Sequence, residues 1–567
     1  MKKITFIVLA AFYWISPVEG QPYKNLKNDR FINGLFKNHV GDVLKAEPVG
    51  YNLPLITIET NNLTIVNEPK IAAKIKVIDN GPGNYNFPSD PGNVYDGLAG
   101  IELRGQSSQM FPKKSYGFET RDNLGANRNV SLLGMPAEND WVLYAPYSDK
   151  TLLRNALTYY LGGRLGNWQP HFRFCEVFLN GSYIGVYQLT EKIKQDKNRV
   201  DIAKLNPDET SGENLTGGYI FKVDKINGVP ATDYFYSVPS VSFLNARNYA
   251  FTFVDPKPED IVPEQKNYLA GTILNFQNNL NSSSFNDKLN GYSKYLDINS
   301  FVDFEIINEL ANNVDGYRYS TYFYKQKNSD GGRIFAGPIW DFDLSYGNVD
   351  YSPRNLSVSE WVYPNFGPNE GYCMHWWFRL MQDPTYVNLV KSRWTQLRQG
   401  PLHKDSINTF IDKNMALLGN AVFRNFEKWP VLGAYIWPNY FIGPTHKSEI
   451  DYLKDWVSRR ITWIDSQWIV QTGIDDSKVD KAFTLFPNPF GTSFTIKYFI
   501  PFQGDVNIGL YNISGVCVYQ KLHKNLPTGY QETFINVGKL NPGVYILRIN
   551  LPGDQVIIKK IVCKPIQ

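Results

Sequence analysis

Asp315 and Asp341 stand at the two ends of one sequence unit: a helix, a broken loop, a β-hairpin and an acidic exit. Phe301, Phe304, Ile307 and Leu310 form one stripe of a helix over 301–311, with Asn299 or Ser300 as the expected cap. The helix breaks at Asn312-Asn313-Val314-Asp315-Gly316. Residues 319–325 then read as a strand, Asn328-Ser329-Asp330-Gly331-Gly332 as a turn, and 333–339 as the return strand that delivers Trp340-Asp341-Phe342-Asp343. A hairpin brings its two ends together, so both acids belong to one site. Phosphoryl transfer to a hydroxyl asks for such a pair: one carboxylate beside the attacking hydroxyl and another holding magnesium against the phosphates. Arg318, three residues after Asp315, can neutralise charge on the transferred group. Blander readings stay open, since Asp315-Gly316 also makes a plain turn and Asp341 and Asp343 can cap a loop or bind structural calcium.

The elements upstream supply the remaining parts. Arg104-Gly105-Gln106-Ser107-Ser108 is a turn of small polar residues whose backbone N–H groups can meet phosphates. Lys114 alternates with Tyr116 and Phe118 and is expected on an enclosed face, whereas Lys113 is expected to be more exposed. Glu191, ending a hairpin built on Asn180-Gly181, can position the lysine. Protein kinases use this order of parts. Walker, GxGxxG, GxSxG and HExxH patterns are absent, and the six histidines do not cluster. A carbohydrate-active enzyme that uses Asp315 and Asp341 as a carboxylate pair is an alternative, as is an inactive kinase-like scaffold that binds at a surface.

The elements fall into an ordered plan. With 567 residues the chain needs more than one domain. Hydrophobic residues make up 43% and charged residues 20%, enough for a large core. The net charge of +4 lacks a basic block, which argues against nucleic-acid partners. Met1-Lys2-Lys3, an apolar run to Ile15 and Val18 and Gly20 before a cut predict a signal peptide over 1–20. A leader over 21–52 follows, then a mixed α+β domain over 53–470, a linker over 471–481 and a small all-β sandwich over 482–567. Further helices are expected over 149–165, 377–397 and 448–468. No later stretch is long and apolar enough for a mature transmembrane anchor. Cys517 and Cys563 are candidates for a disulfide.

Residues 53–470 resemble the CotH kinase family. The likeness rests on Leu103 to Ser108 with Lys113 to Tyr116, Tyr147 to Lys150 with Leu153-Arg154-Asn155, Asn180-Gly181 through Tyr187, Asn313-Val314-Asp315, and Trp340 to Asp343. It implies an atypical, two-lobed kinase-like domain that uses ATP with Mg2+ or Mn2+ to phosphorylate a protein substrate. Asp315 would be the catalytic acid/base and Asp341 a metal ligand, with Asp343 and Ser320 as further metal candidates. Arg104, Ser107, Ser108, Lys114 and Glu191 would hold the nucleotide. The family commonly places Asn five residues after the catalytic Asp; here that residue is Ser320, a weaker magnesium ligand. The tail resembles a type IX secretion C-terminal sorting domain, through Phe486-Pro487-Asn488-Pro489-Phe490, the 512–515 turn, Asn541 to Tyr545 and Lys559 to Val562. That resemblance implies a Bacteroidota protein delivered through the periplasm to the surface or medium by the type IX machinery.

Overall fold

The computed structural model describes residues 50–369, 371–469, 483–500, 503–552 and 556–565. The expected signal peptide, nearly all of the leader and the linker lie outside the described residues. The first half of the central region is a closed barrel of seven strands: β1 (Leu55–Glu59), β2 (Ile71–Ile78), β3 (Tyr95–Arg104), β4 (Ser115–Arg121), β5 (Asp140–Tyr144), β6 (Phe172–Leu179) and β7 (Ser182–Glu191), in the order β1-β2-β3-β4-β5-β7-β6. Closure comes from β1, which pairs antiparallel with β2 and parallel with β6. Alternation explains the interior. Ile56 and Ile58, Ile75 and Val77, Tyr116 and Phe118, Trp141 and Leu143, and Tyr187 and Leu189 share one buried cluster, as period-two strands require. The opposite parity of β5, β6 and β7 (Val142, Phe174, Val186) packs instead into the larger core formed with the helices.

A second sheet, in the order β12-β11-β8-β10-β9, carries β8 (Tyr219–Val223), β9 (Tyr234–Ser237), β10 (Tyr249–Asp255), β11 (Thr321–Lys325) and β12 (Ile334–Ala336). Around it lie α1 (Arg154–Gly163), α2 (Pro263–Asn281), α3 (Ile298–Ala311), α4 (Pro353–Leu356), α5 (Trp376–Leu380), α6 (Pro384–Arg398), α7 (Lys404–Leu418), α8 (Ala421–Lys428) and α9 (His446–Trp468). Three expectations need correction here. The cap of α3 is Asp297, whose side chain accepts from Ser300 N, rather than Asn299 or Ser300. The 149–165 helix starts only at Arg154, because the Asp149 carboxylate accepts from Thr151 N in the preceding turn and from Arg154 N, the first of the helix. The 377–397 helix is two helices, parted where Asp383 caps a new one that begins at Pro384.

Helix α8 returns to the barrel from far along the chain. Asn425 Oδ1 accepts from Lys113 Nζ at 2.9 Å and from Val186 N at 3.1 Å. Arg424 clamps the buried Glu176 of β6, with N–O distances of 2.6 and 2.8 Å. Asn52 donates to the carbonyls of Leu417 and Leu418. The barrel is therefore fastened to the helical half through groups that sequence periodicity does not reveal.

The C-terminal region is all β, so the chain as a whole is α+β with an all-β end. β13 (Phe483–Phe486), β14 (Ser493–Ile500) and β17 (Gly529–Asn536) form one sheet; β16 (Cys517–Leu526), β15 (Gly504–Asn512), β18 (Gly543–Asn550) and β19 (Val556–Cys563) form the other. Phe494, Ile496, Tyr498, Val506, Ile508 and Leu510, the two faces expected from alternation, meet in one core. The expected disulfide is absent: Cys517 and Cys563 are both free. They lie on β16 and β19, opposite edges of a four-stranded sheet. With strands about 4.8 Å apart, that separation exceeds the roughly 7 Å limit between bridged Cα atoms.

Candidate active site

Between the outer face of the barrel and the second sheet opens a cleft of about 650 Å³, within the size range of small-molecule sites. Ser115, Val142, Tyr144 and Thr190 line it from the barrel side, Lys222 and Tyr322 from the second sheet, and Asp315, Arg318, Ser320, Asp341 and Asp343 from the loops at the ends of β11 and β12. The turn Arg104-Gly105-Gln106-Ser107-Ser108 closes one end. Gly105 holds φ at +94°, a left-handed conformation that side chains rarely adopt, and a Cβ there would also press on Ser108 Oγ, so this turn favours glycine. Eight of the sequence-derived candidates thus meet in one cleft: Arg104, Ser107, Ser108, Asp315, Arg318, Ser320, Asp341 and Asp343.

The loop carrying Asp315 is fixed by the end of α3. Asn312 terminates the helix in left-handed conformation (φ 46°), and its side-chain amide donates to Ser357 O at 2.8 Å. Asn313 Oδ1 accepts from Asp315 N at 3.1 Å. The Asp315 carboxylate takes Arg318 Nη2 at 2.9 Å, and Arg318 also donates to Gly371 O. Arg318 is therefore committed to Asp315 in this structure.

The second acid is held from behind by α1. Asn155 Oδ1 accepts from Phe342 N at 2.6 Å, Arg154 Nε donates to Ser345 O at 3.1 Å, and the hydroxyls of Thr158 and Tyr346 lie 2.9 Å apart. Arg154 itself forms a fully buried pair with Asp149 at 2.7 Å. The Tyr147–Asn155 motif thus builds a brace for the Asp341 loop. Ser320 Oγ donates to Asp341 Oδ2 at 2.9 Å. Tyr317, Ser320 and Asp341 all hold left-handed backbone (φ 62°, 46° and 58°), which costs non-glycine residues about 1–2 kcal/mol each and gathers at functional sites.

Charge in the cleft is uneven. Burial raises the pKa of Asp341; the hydrogen bond from Ser320 and the charges of Arg104 and Lys222 oppose this, while Asp224 adds to it. Asp343 is pushed up to about 7 by burial and then by the charges of Asp341, Asp149 and Asp315. Arg104 lies over the Trp340 ring at 4.9 Å, and Lys225 Nζ donates to Ser107 Oγ at 3.0 Å. At the mouth, the half-exposed rings of Tyr351 and Trp437 stack at 5.9 Å with planes 13° apart.

Two candidates lie outside this cleft lining. Lys114 donates to Gln109 O at 2.6 Å, and Lys113 is the buried one, donating to Val186 O at 2.6 Å. Burial lowers the pKa of Lys113 to about 7. The alternation fails here because β4 begins only at Ser115, and its inward face leads into the barrel rather than the cleft. Glu191 is fully buried, accepting from the backbone N (3.0 Å) and Nδ1 (2.8 Å) of His171. The sequence reading missed Lys222, Asp224, Lys225, Tyr144, Tyr351 and Trp437. The one available signal was Lys222-Val223-Asp224-Lys225, a charged run that ends an apolar strand.

The donors suit a hard divalent cation, since carboxylate oxygens dominate. No three His, Cys, Asp or Glu side chains among the described residues group closely enough to hold a metal alone. Magnesium is usually bound by one or two carboxylates together with substrate phosphates. No helix among the described residues is long and apolar enough to cross a membrane.

Comparison with known proteins gives a family match in each of the two regions. The family model for CotH kinase protein matches residues 101–464, and that for the secretion system C-terminal sorting domain matches 484–564. No curated protein matches. One solved structure is PorZ, an essential bacterial surface component of the type-IX secretion system of Porphyromonas gingivalis. It shares 17% identity over 17% of this chain and 13% of its own, with a TM-score of 0.13, too low to bear on the fold. The sorting domain indicates secretion or a cell-surface location and interaction with the type IX machinery. On its family match over more than half of its length, this chain belongs to the CotH kinase protein family and ends in a type IX sorting domain.

Proposed function

We propose that this chain is an exported atypical kinase, in which the cleft between barrel and second sheet acts as the interlobe site of a kinase-like domain. The observation that supports this reading best is the meeting of Asp315, Asp341 and Asp343 with Arg104 and the Gly105–Ser108 turn around one cleft. ATP with Mg2+ or Mn2+ would supply the transferable γ-phosphoryl group and neutralise its charge. Asp315 accepts the proton of a protein hydroxyl, and Arg318 fixes the rotamer of that carboxylate. Asp341, and Asp343 beside it, offer oxygens to the metal. Ser320 orients Asp341 through its hydrogen bond, a task within reach of a hydroxyl even where it ligates poorly. Arg104 and the hydroxyls of Ser107 and Ser108 face the phosphates.

A general base is typically worth about 10²–10⁴-fold in rate. Asp315→Asn should therefore lower phosphate transfer from labelled ATP to a protein acceptor by that factor, with the melting temperature nearly unchanged. Wild-type transfer in this variant would remove Asp315 from the mechanism. A second reading, an inactive surface-binding scaffold, is favoured by Ser320 in place of Asn. It predicts that wild type binds nucleotide weakly or not at all and transfers no phosphate.

A further inference from the structure

The cations around the cleft are not equally available to an anion. Arg318 is committed to Asp315 and Gly371 O. Lys225 spans to Ser107 and lies 5.1 Å from the Tyr319 ring. Lys114 points away, to Gln109 O. Two further cations line the cleft: Arg104, whose guanidinium lies over the Trp340 ring, and Lys222, whose one ion pair is with Asp224.

Lys222 occupies an interior strand. β8 lies between β10 and β11, and Lys222 is directly opposite Tyr322 in register. Its Nζ sits 5.4 Å from the Tyr322 ring centre and 2.6 Å from Asp224 Oδ2. Asp224, the residue just past the end of β8, holds the amine through this contact. Burial disfavours the charge of Lys222, but Tyr322 and Asp224 raise its pKa above the ordinary lysine value, and the ammonium persists at neutral pH. The charges of Lys222 and Arg104 both favour the ionised form of Asp341. A lysine held charged on a sheet interior, with about a quarter of its side chain open to the cleft, has desolvation against it and only one carboxylate partner. An anion in the cleft completes the set.

We infer that Lys222, aimed by Asp224, joins Arg104 in binding the phosphate chain of a nucleoside triphosphate at the Asp341 end of the cleft. This rests on the nucleotide-dependent reading above. Asp224 is a positioning residue: it carries the same sign as the phosphates and acts through the lysine.

Calorimetric titration of the full chain with ATP and with AMP, each with magnesium, tests it. Lys222→Met should weaken ATP by about tenfold or more, as expected for a lost charged hydrogen bond, while AMP changes by less than about threefold. Lys222→Arg should recover most of the ATP affinity. Asp224→Ala should also weaken ATP, and the double variant should be no weaker than Lys222→Met, because the two side chains act as one unit. ATP bound by Lys222→Met as tightly as by wild type overturns the inference while leaving the kinase reading intact. Equal losses for ATP and AMP also overturn it, since they would mean a general loss of the site. If wild type binds no nucleotide with magnesium or manganese, the functional reading fails and the inference with it. Should Lys222→Met melt early, Lys222→Gln takes its place, and ATP bound by it as tightly as by wild type overturns the inference; unchanged ATP affinity in Asp224→Ala removes the positioning claim.

Discussion

The central region and the tail bury different kinds of residue. The interior of the central region holds Asp149, Arg154, Glu176, Glu305, Glu309 and Arg460, each with almost no exposure. Glu309 alone accepts from Val362 N, Tyr363 N and Tyr317 OH, and pairs with Arg460 at 3.4 Å. Among the described residues of the tail, Thr533 is the sole buried polar side chain. A buried ion pair adds little net stability over an apolar replacement, yet costs several kcal/mol when one partner is lost. The central region therefore uses charge to fix where loops go. The tail, with an apolar core, keeps its charged residues on its surface, as suits a segment that other proteins read.

The largest effect that would break this contrast comes from removing the tail. Deleting residues from about 480 onward should abolish surface delivery, while the central region keeps its melting temperature within about 2 °C; cell fractionation and calorimetry measure the two. A truncated chain that still reaches the surface would make the tail a binding module. Next comes Arg154→Met, which strands Asp149 behind the Asp341 loop and should cost about 3–5 kcal/mol in urea unfolding. A cost below about 1 kcal/mol would show that the brace bears no load.

Asp343 sharpens the contrast through pH. Its folded pKa near 7 lies above the ordinary carboxylate value. Between about pH 4 and 7 the unfolded chain gives up this proton and the folded one keeps it, so this residue's contribution to stability falls as pH rises and levels off above about 7. Asp343→Asn should then melt a few degrees above wild type at pH 8 and lose that advantage at pH 4. No difference at pH 8 would place the carboxylate in a better-solvated setting. The smallest effect belongs to the tail core. Thr533→Val removes the partner 3.2 Å from the Tyr498 hydroxyl and should cost only about 1 kcal/mol; a loss of several would mean that the tail, too, depends on a buried polar network.

Legibility followed the same division. Tail strands and barrel strands announce themselves by alternation, and the Asn180-Gly181 hairpin by its left-handed pair (φ 47° and 74°). The loop acids were legible because a hairpin must bring its ends together. Lys222 and Asp224 were not, because their place beside Tyr322 depends on β8 pairing with a strand about a hundred residues later. Closure of the barrel was equally hidden, since the β1–β6 pairing leaves no local mark. The lysines at 113 and 114 were read in reverse because alternation was carried past the end of its strand.

The fastening of Lys113 by Asn425 sets a timetable. The two residues are separated by 312 positions, and the Asn52 contact with Leu417 spans 365. A chain made from its N-terminus carries an amine destined for burial, with one of its two partners still unsynthesised, until helix α8 exists. Such long-range closure slows folding. The seven strands all lie within residues 55–191 and can pair early, but the burial of Lys113 waits for nearly the whole central region, and a chain bound for export keeps that amine open to handling for most of its synthesis.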